Sequence, residues 1–193
     1  MLSCLASQML FLVILILSAM ITASAGLSSL ASLDISLVMS GELWRLFTGH
    51  LTHLTWRHYA LNAPVFYIVY SVYKRNTSGL SSIYLMIFSA ITVSATVVVM
   101  GIHQVYGGLS GLSCAALSAL LLKMILDAPR RIYPYILVFA FLVYLLFFQG
   151  NASGINVATE AHVAGTISGI VFECVRRWLR QSKSNTRSDV TEV

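Results

Sequence analysis

The chain has 193 residues, 58% of them hydrophobic and only 10% charged, with a mean hydropathy of +0.82. That composition excludes a water-soluble domain and leaves a membrane protein. The net charge of +5 does not point to nucleic acid, because ten of the twelve Lys and Arg residues stand in three groups beside apolar stretches.

The first uncharged stretch runs from Met1 to Leu33 and predicts a membrane span over residues 2–22. Ala23-Ser24-Ala25 before Gly26 resembles a signal-peptidase site, but Met1 to Gln8 carries no Lys or Arg, so the charged start of a signal peptide is missing. The span is therefore read as retained; its removal would leave five. The connection that follows, Ala25 to Arg57, ends in GELWRLFTGHLTHLTWRH, where Trp44 and Trp56 alternate with Arg45 and Arg57. Tryptophan beside arginine suits the headgroup zone, and this segment is expected to be an interfacial anchor.

Five further spans are predicted over residues 58–74, 80–102, 109–127, 132–150 and 157–177, followed by a polar, disordered cytoplasmic tail over 181–193. The expected fold is an all-α membrane protein, one domain over residues 1–180 built as a bundle of six transmembrane helices. The basic groups Lys74/Arg75, Lys123/Arg130/Arg131 and Arg176/Arg177/Arg180/Lys183/Arg187 follow spans two, four and six. By the positive-inside rule both termini are cytoplasmic and the loops with Asp34, Glu42 and Glu160 lie outside. Cys4, Cys114 and Cys174 have no framework spacing and read as packing residues.

Rise per residue converts position into depth. Ser110, His162 and Asn62 stand thirteen, fourteen and twelve residues before Lys123, Arg176 and Lys74. Each is thus roughly 18–21 Å above its charge group. Polar side chains at one level inside a core ~30 Å thick must face one another or a wet cavity. Gly111, Ala115 and Ala119 on span four, and Ala161, Gly165 and Gly169 on span six, recur every fourth residue, a pattern that lets two helix backbones approach closely. Contact along these stripes brings the Ser110 hydroxyl within reach of His162, as a serine nucleophile requires of its base.

In GGLSGLSC, Gly107 and Gly108 permit a tight turn, and Ser110 opens a helix whose first N–H groups lack internal partners and can stabilise an oxyanion. Asn62 follows His58 by four residues, so an amide and an imidazole share one face and can add donors. Glu160, two residues from His162, points elsewhere on a helix, which favours a Ser-His dyad over a triad with Asp.

These residues carry a resemblance. WR at Trp44 and Arg45, HxxxN at His58 to Asn62, GxSG at Gly108 to Gly111 and AHxxG at Ala161 to Gly165, in that order, resemble the rhomboid intramembrane serine proteases. The resemblance implies Ser110 as nucleophile, His162 as general base and then acid, and His58, Asn62 and the Ser110 N–H as the oxyanion hole. Trp44, Arg45, Gly108, Gly111 and Gly165 would support the site, and His53 matches a structural histidine of the first outer loop. Two positions depart from the family: Cys114 stands where an aromatic residue often lies under the catalytic histidine, and Tyr73 and Lys74 stand where an acidic residue is common.

The bare six-span form and the loop GHLTHLTWRH are similar to the rhombosortase branch. That similarity implies a multi-pass protein of the bacterial inner membrane with its site open to the periplasm. The implied substrates are single-pass proteins bearing a carboxy-terminal Gly-Gly, helix and basic tail. Gly-Gly weakens helix by ~1 kcal/mol per glycine, which suits a protease that must unwind its substrate. Other readings are a proteolytically inactive rhomboid-like protein that binds membrane helices, or a small transporter; the first usually loses the serine or histidine, and the second finds no intramembrane carboxylate or inverted repeat here. No cofactor is implied. A metal at His50, His53 and His58 finds neither HExxH nor a nearby acidic partner.

Overall fold

The computed structural model describes residues 2–128, 133, 136–137 and 158–191. Helix α1 (Leu2–Ala23) stops at Ser24, whose hydroxyl accepts the Leu27 N–H and caps α2 (Ala25–Ala31), turning the chain by 116°. The long apolar run is thus a helix and a bent-over second helix. Strand β1 (Leu33–Asp34) pairs antiparallel with β2 (Val105–Tyr106) in a two-residue ladder. The Asp34 carboxylate then caps α3 (Ile35–Met39), accepting from Ser36 and Leu37 N–H at 2.9 and 3.3 Å. A short α4 (Arg45–Thr48) and a 3-10 turn (Gly49–Leu51) complete the first loop.

Among the described residues four long helices follow: α5 (Trp56–Asn76), α6 (Gly79–Met100), α7 (Ser110–Asp127) and α8 (Thr159–Thr191). Thr55 and Ser78 cap α5 and α6 by accepting the N–H of His58 and Ser81, each at 3.1 Å. Among the described residues α6 and α7 are long and apolar enough to cross a membrane, and the α1–α2 pair is a third span if the bent helices count as one. The expected span over 132–150 lies outside the described residues apart from three positions. Helix α8 is described as far as Thr191.

The core has two parts. Phe11 of α1, Phe66 and Tyr70 of α5, Leu85 of α6 and Leu109 and Leu112 at the start of α7 form one; Phe11 meets Phe66 edge-on, with ring centroids 6.2 Å apart. Leu33, Val93, Val97, Tyr106 and Ala161 form the other, tying the first loop to α6 and α8 beside the ladder. The tightest contact is between α7 and α8. A β-carbon on Gly165 would overlap the Gly111 carbonyl oxygen, and one on Gly169 would overlap that of Ala115. The small-residue stripes read from the sequence are therefore the interface itself. Ser118 fastens it, its hydroxyl donating across the gap to the Thr166 carbonyl at 2.9 Å.

At the basic end, Glu173 of α8 is wholly buried, accepts the Tyr73 hydroxyl at 3.0 Å and is gripped by Arg176 at 2.7 and 2.5 Å. The acidic residue missing from α5 is thus replaced in space by one from α8. Asp127 pairs with Arg177 across α7 and α8, and with Lys123 along α7. Of the cysteines, Cys114 is buried as expected of a packing residue, whereas Cys174 lies on the exposed face of α8.

Candidate active site

Ser110 is the first residue of α7, where the chain leaves the Gly107-Gly108 turn. The N–H groups of this first turn have no carbonyl one turn back to bond, so they are free to meet negative charge. His162 lies on the first turns of α8, buried at 5% exposure, and its Nε2 is 2.8 Å from the Ser110 Oγ. The glycines explain the distance: with backbones touching at Gly111 and Gly165, two short side chains on facing helices meet directly. A hydroxyl hydrogen-bonded to an imidazole nitrogen beside unpaired N–H groups can be deprotonated as it attacks a carbonyl, and the oxygen that becomes charged has donors at hand.

The turn before Ser110 is held from outside the helix. Gly108 has φ +136°, a conformation a side chain rarely adopts, and its N–H donates to the Gly49 carbonyl at 3.2 Å. The next N–H, of Leu109, points at His53 Nε2, 3.5 Å away. Since Nε2 faces a donor, the ring proton sits on Nδ1 and is given to Ser18 Oγ at 3.1 Å; the Ser18 hydroxyl in turn donates to the Leu51 carbonyl at 2.7 Å. A relay thus runs from α1 through the first loop to the residue before Ser110. It requires neutral His53, and burial, with His58 nearby, lowers that imidazole's pKa to about 3.

His58 stands over the same turn: a β-carbon on Gly108 would be 3.4 Å from His58 Nε2 and 3.8 Å from Ser110 Oγ. Asn62 behaves differently. Its amide donates back to the His58 carbonyl at 2.9 Å, a bond within α5, so it is not aimed at Ser110 in this state. Gly111 and Gly165 lie at the backbone contact beside Ser110, and Gly108 lies in the turn before it. Trp44 is exposed, whereas Arg45, expected among headgroups, is 3% exposed and bonds Glu42 and the carbonyls of Ser29 and Ser32 at 2.7–2.8 Å. Arg45 ties α4 to the end of α2 and acts on the site only through the loop.

A second serine meets a second histidine, His50 Nε2 lying 3.0 Å from Ser94 Oγ. Proton direction separates the two pairs. His50 Nε2 is also 3.1 Å from the Ala90 carbonyl, which can only accept, and the Ser94 hydroxyl donates to the Leu46 carbonyl at 2.6 Å. Nε2 therefore carries a proton and cannot take one from Ser94. Both residues are almost wholly buried, and burial lowers the His50 pKa to about 4. They tie the first loop to α6.

Two contacts were not legible beforehand. His103, just past the end of α6, places Nδ1 2.6 Å from Glu160 Oε1, joining the loop before Ser110 to the start of α8. Glu160 thus points away from His162, as the helical spacing requires. The Ser18–His53 relay is the other; a polar residue at position 18 of an apolar helix was its only signal.

A rhomboid-domain model matches residues 40–178, most of the chain. The chain belongs to the rhomboid family. No curated protein matches it. Rhomboid proteases are intramembrane serine proteases that act on membrane-protein substrates within the bilayer, and the apolar helices here fit an integral membrane protein of that family. The matched region holds Ser110, His162 and His53, whereas Ser18, the far end of the relay, precedes it.

Proposed function

We propose that Ser110 and His162 are the catalytic dyad of an intramembrane protease, in a bundle of six spans whose termini are cytoplasmic and whose site opens to the periplasmic side of a bacterial inner membrane. The observation that carries this is the 2.8 Å contact between His162 Nε2 and Ser110 Oγ at the opening of α7. Ser110 Oγ attacks the scissile carbonyl while its proton passes to His162 Nε2. The tetrahedral oxyanion is met by the Ser110 N–H and by His58 and Asn62, the latter exchanging its bond to the His58 carbonyl for one to substrate. His162 then gives its proton to the leaving amine, and water or an amine acceptor releases the acyl group from Ser110.

The substrate we infer is a single-pass protein with a carboxy-terminal Gly-Gly, helix and basic tail, as in the rhombosortase branch. The loop GHLTHLTWRH and the ease of unwinding Gly-Gly support that choice. Co-expression with a Gly-Gly tailed protein is expected to give a shortened product with the wild type and none with Ser110→Ala or His162→Ala. A fluorophosphonate should label the wild type and not Ser110→Ala; equal processing or labelling by the variants removes the assigned roles.

A further inference from the structure

The peptide unit joining Gly108 to Leu109 is bonded at both ends. Its N–H faces His53, and its carbonyl accepts the Tyr106 hydroxyl at 3.2 Å. Tyr106 itself has little freedom. Its ring is 4% exposed and lies edge-on to the His50 imidazole, with centroids 5.8 Å apart, while its backbone pairs with Leu33 in the ladder. The phenol oxygen reaches over the first turn of α7: a β-carbon on Gly111 would be 3.3 Å from it.

This grip matters because of what comes next along the chain. Gly108, at φ +136°, lacks the side chain that would restrict rotation, so without outside bonds the Gly108–Leu109 peptide can swing about its flanking single bonds. The peptide after it carries the Ser110 N–H. Any swing tilts that donor relative to Ser110 Oγ, and a donor misaimed by about 1 Å costs rate far more than it costs folding. We propose that the Tyr106 hydroxyl is a positioning group: with His53 it locks the Gly108–Leu109 peptide and so aims the Ser110 N–H at the developing oxyanion. The aromatic ring absent at Cys114 is thus answered by a phenol four residues before Ser110, acting on the backbone donor. The proposal rests on Ser110 being the nucleophile.

The test uses full-length protein in detergent, a fluorophosphonate, and the variants Tyr106→Phe and Ser110→Ala. Phenylalanine keeps the ring and its packing and removes only the hydroxyl. Tyr106→Phe should lower the limiting rate of phosphonylation between about tenfold and a hundredfold per folded molecule, with half-saturating probe concentration unchanged and melting temperature only slightly lowered. An unchanged limiting rate overturns the positioning role. So does a fall that disappears when rates are normalised to folded protein, because a purely structural bond would act that way. If Ser110→Ala is labelled as fast as the wild type, the nucleophile assignment fails instead, and with it the ground for this inference.

Discussion

Gly165 lies so close to Gly111 that its missing β-carbon would occupy the place of the Gly111 carbonyl oxygen. The backbone contact sets the span between Ser110 and His162, so Gly165→Ala is expected to part them. Overpacking of this kind destabilises by about 1–3 kcal/mol. Fluorophosphonate labelling per folded molecule should fall by about a hundredfold. Gly169→Ala, two turns of α8 from His162, should cost similar stability with much less loss of labelling. Melting curves and labelling rates of the two variants check the difference.

Acid should unfold the protein through its first loop. His53 and His50 are held neutral when folded, with pKa values lowered to about 3 and about 4, against 6.5 for an unfolded histidine. Between pH 6.5 and those values the unfolded chain binds protons that the folded chain does not, so stability is full above pH 6.5 and falls as pH drops toward 4. Each pH unit withheld is worth ~1.4 kcal/mol per histidine. Melting temperature in detergent should decline across that window, and His53→Gln, although less stable at pH 7, should show a shallower decline. A flat profile for the wild type would contradict the relay.

Ser94→Ala separates the two serine–histidine pairs. Loss of the bond from Ser94 to the Leu46 carbonyl, with one partner of His50 gone, should destabilise by about 1–2 kcal/mol. Labelling per folded molecule should stay within about twofold of wild type, as expected of a pair without proton transfer. A Ser94→Ala protein that folds but loses labelling would reassign the nucleophile.

Glu173 is the buried anion at the basic end, shared by Tyr73 and Arg176. Glu173→Ala strands a buried guanidinium and should cost about 3–5 kcal/mol. Glu173→Gln, which still offers an oxygen to Tyr73, should cost less. Denaturant titrations of the two variants give the order, and equal losses would show that Tyr73 contributes nothing.

Much of this site was legible because depth can be counted. The intervals from Ser110 and His162 to their charge groups, with Gly111 and Gly165 on matching stripes, named both the level and the facing helices. Counting along one helix does not say which way a polar group turns when its own backbone competes for it, as for the Asn62 amide bonded to the His58 carbonyl. It is equally silent on groups supplied by another helix. Glu173 takes the place of a carboxylate sought on α5, and Glu160 meets His103 from a loop fifty-seven residues earlier. Arg45 looked like a headgroup residue because arginine beside tryptophan is ambiguous until the carbonyls at Ser29 and Ser32 come into view. The bend at Ser24 was hidden because a hydroxyl cap inside an apolar run hardly changes hydropathy.

Helix α8 is clamped by Glu160 to His103 near one end and by Glu173 to Tyr73 about 20 Å further along. Between these clamps it is pressed backbone to backbone onto α7 at Gly165 and Gly169, with the Ser118 hydroxyl bonded across the seam. The imidazole of His162 therefore rides on a stator. On the proposed reading, a bulky polypeptide coming in from the lipid would deform other parts of the bundle before this pair of helices, because parting them breaks both clamps and the Ser118 bond together.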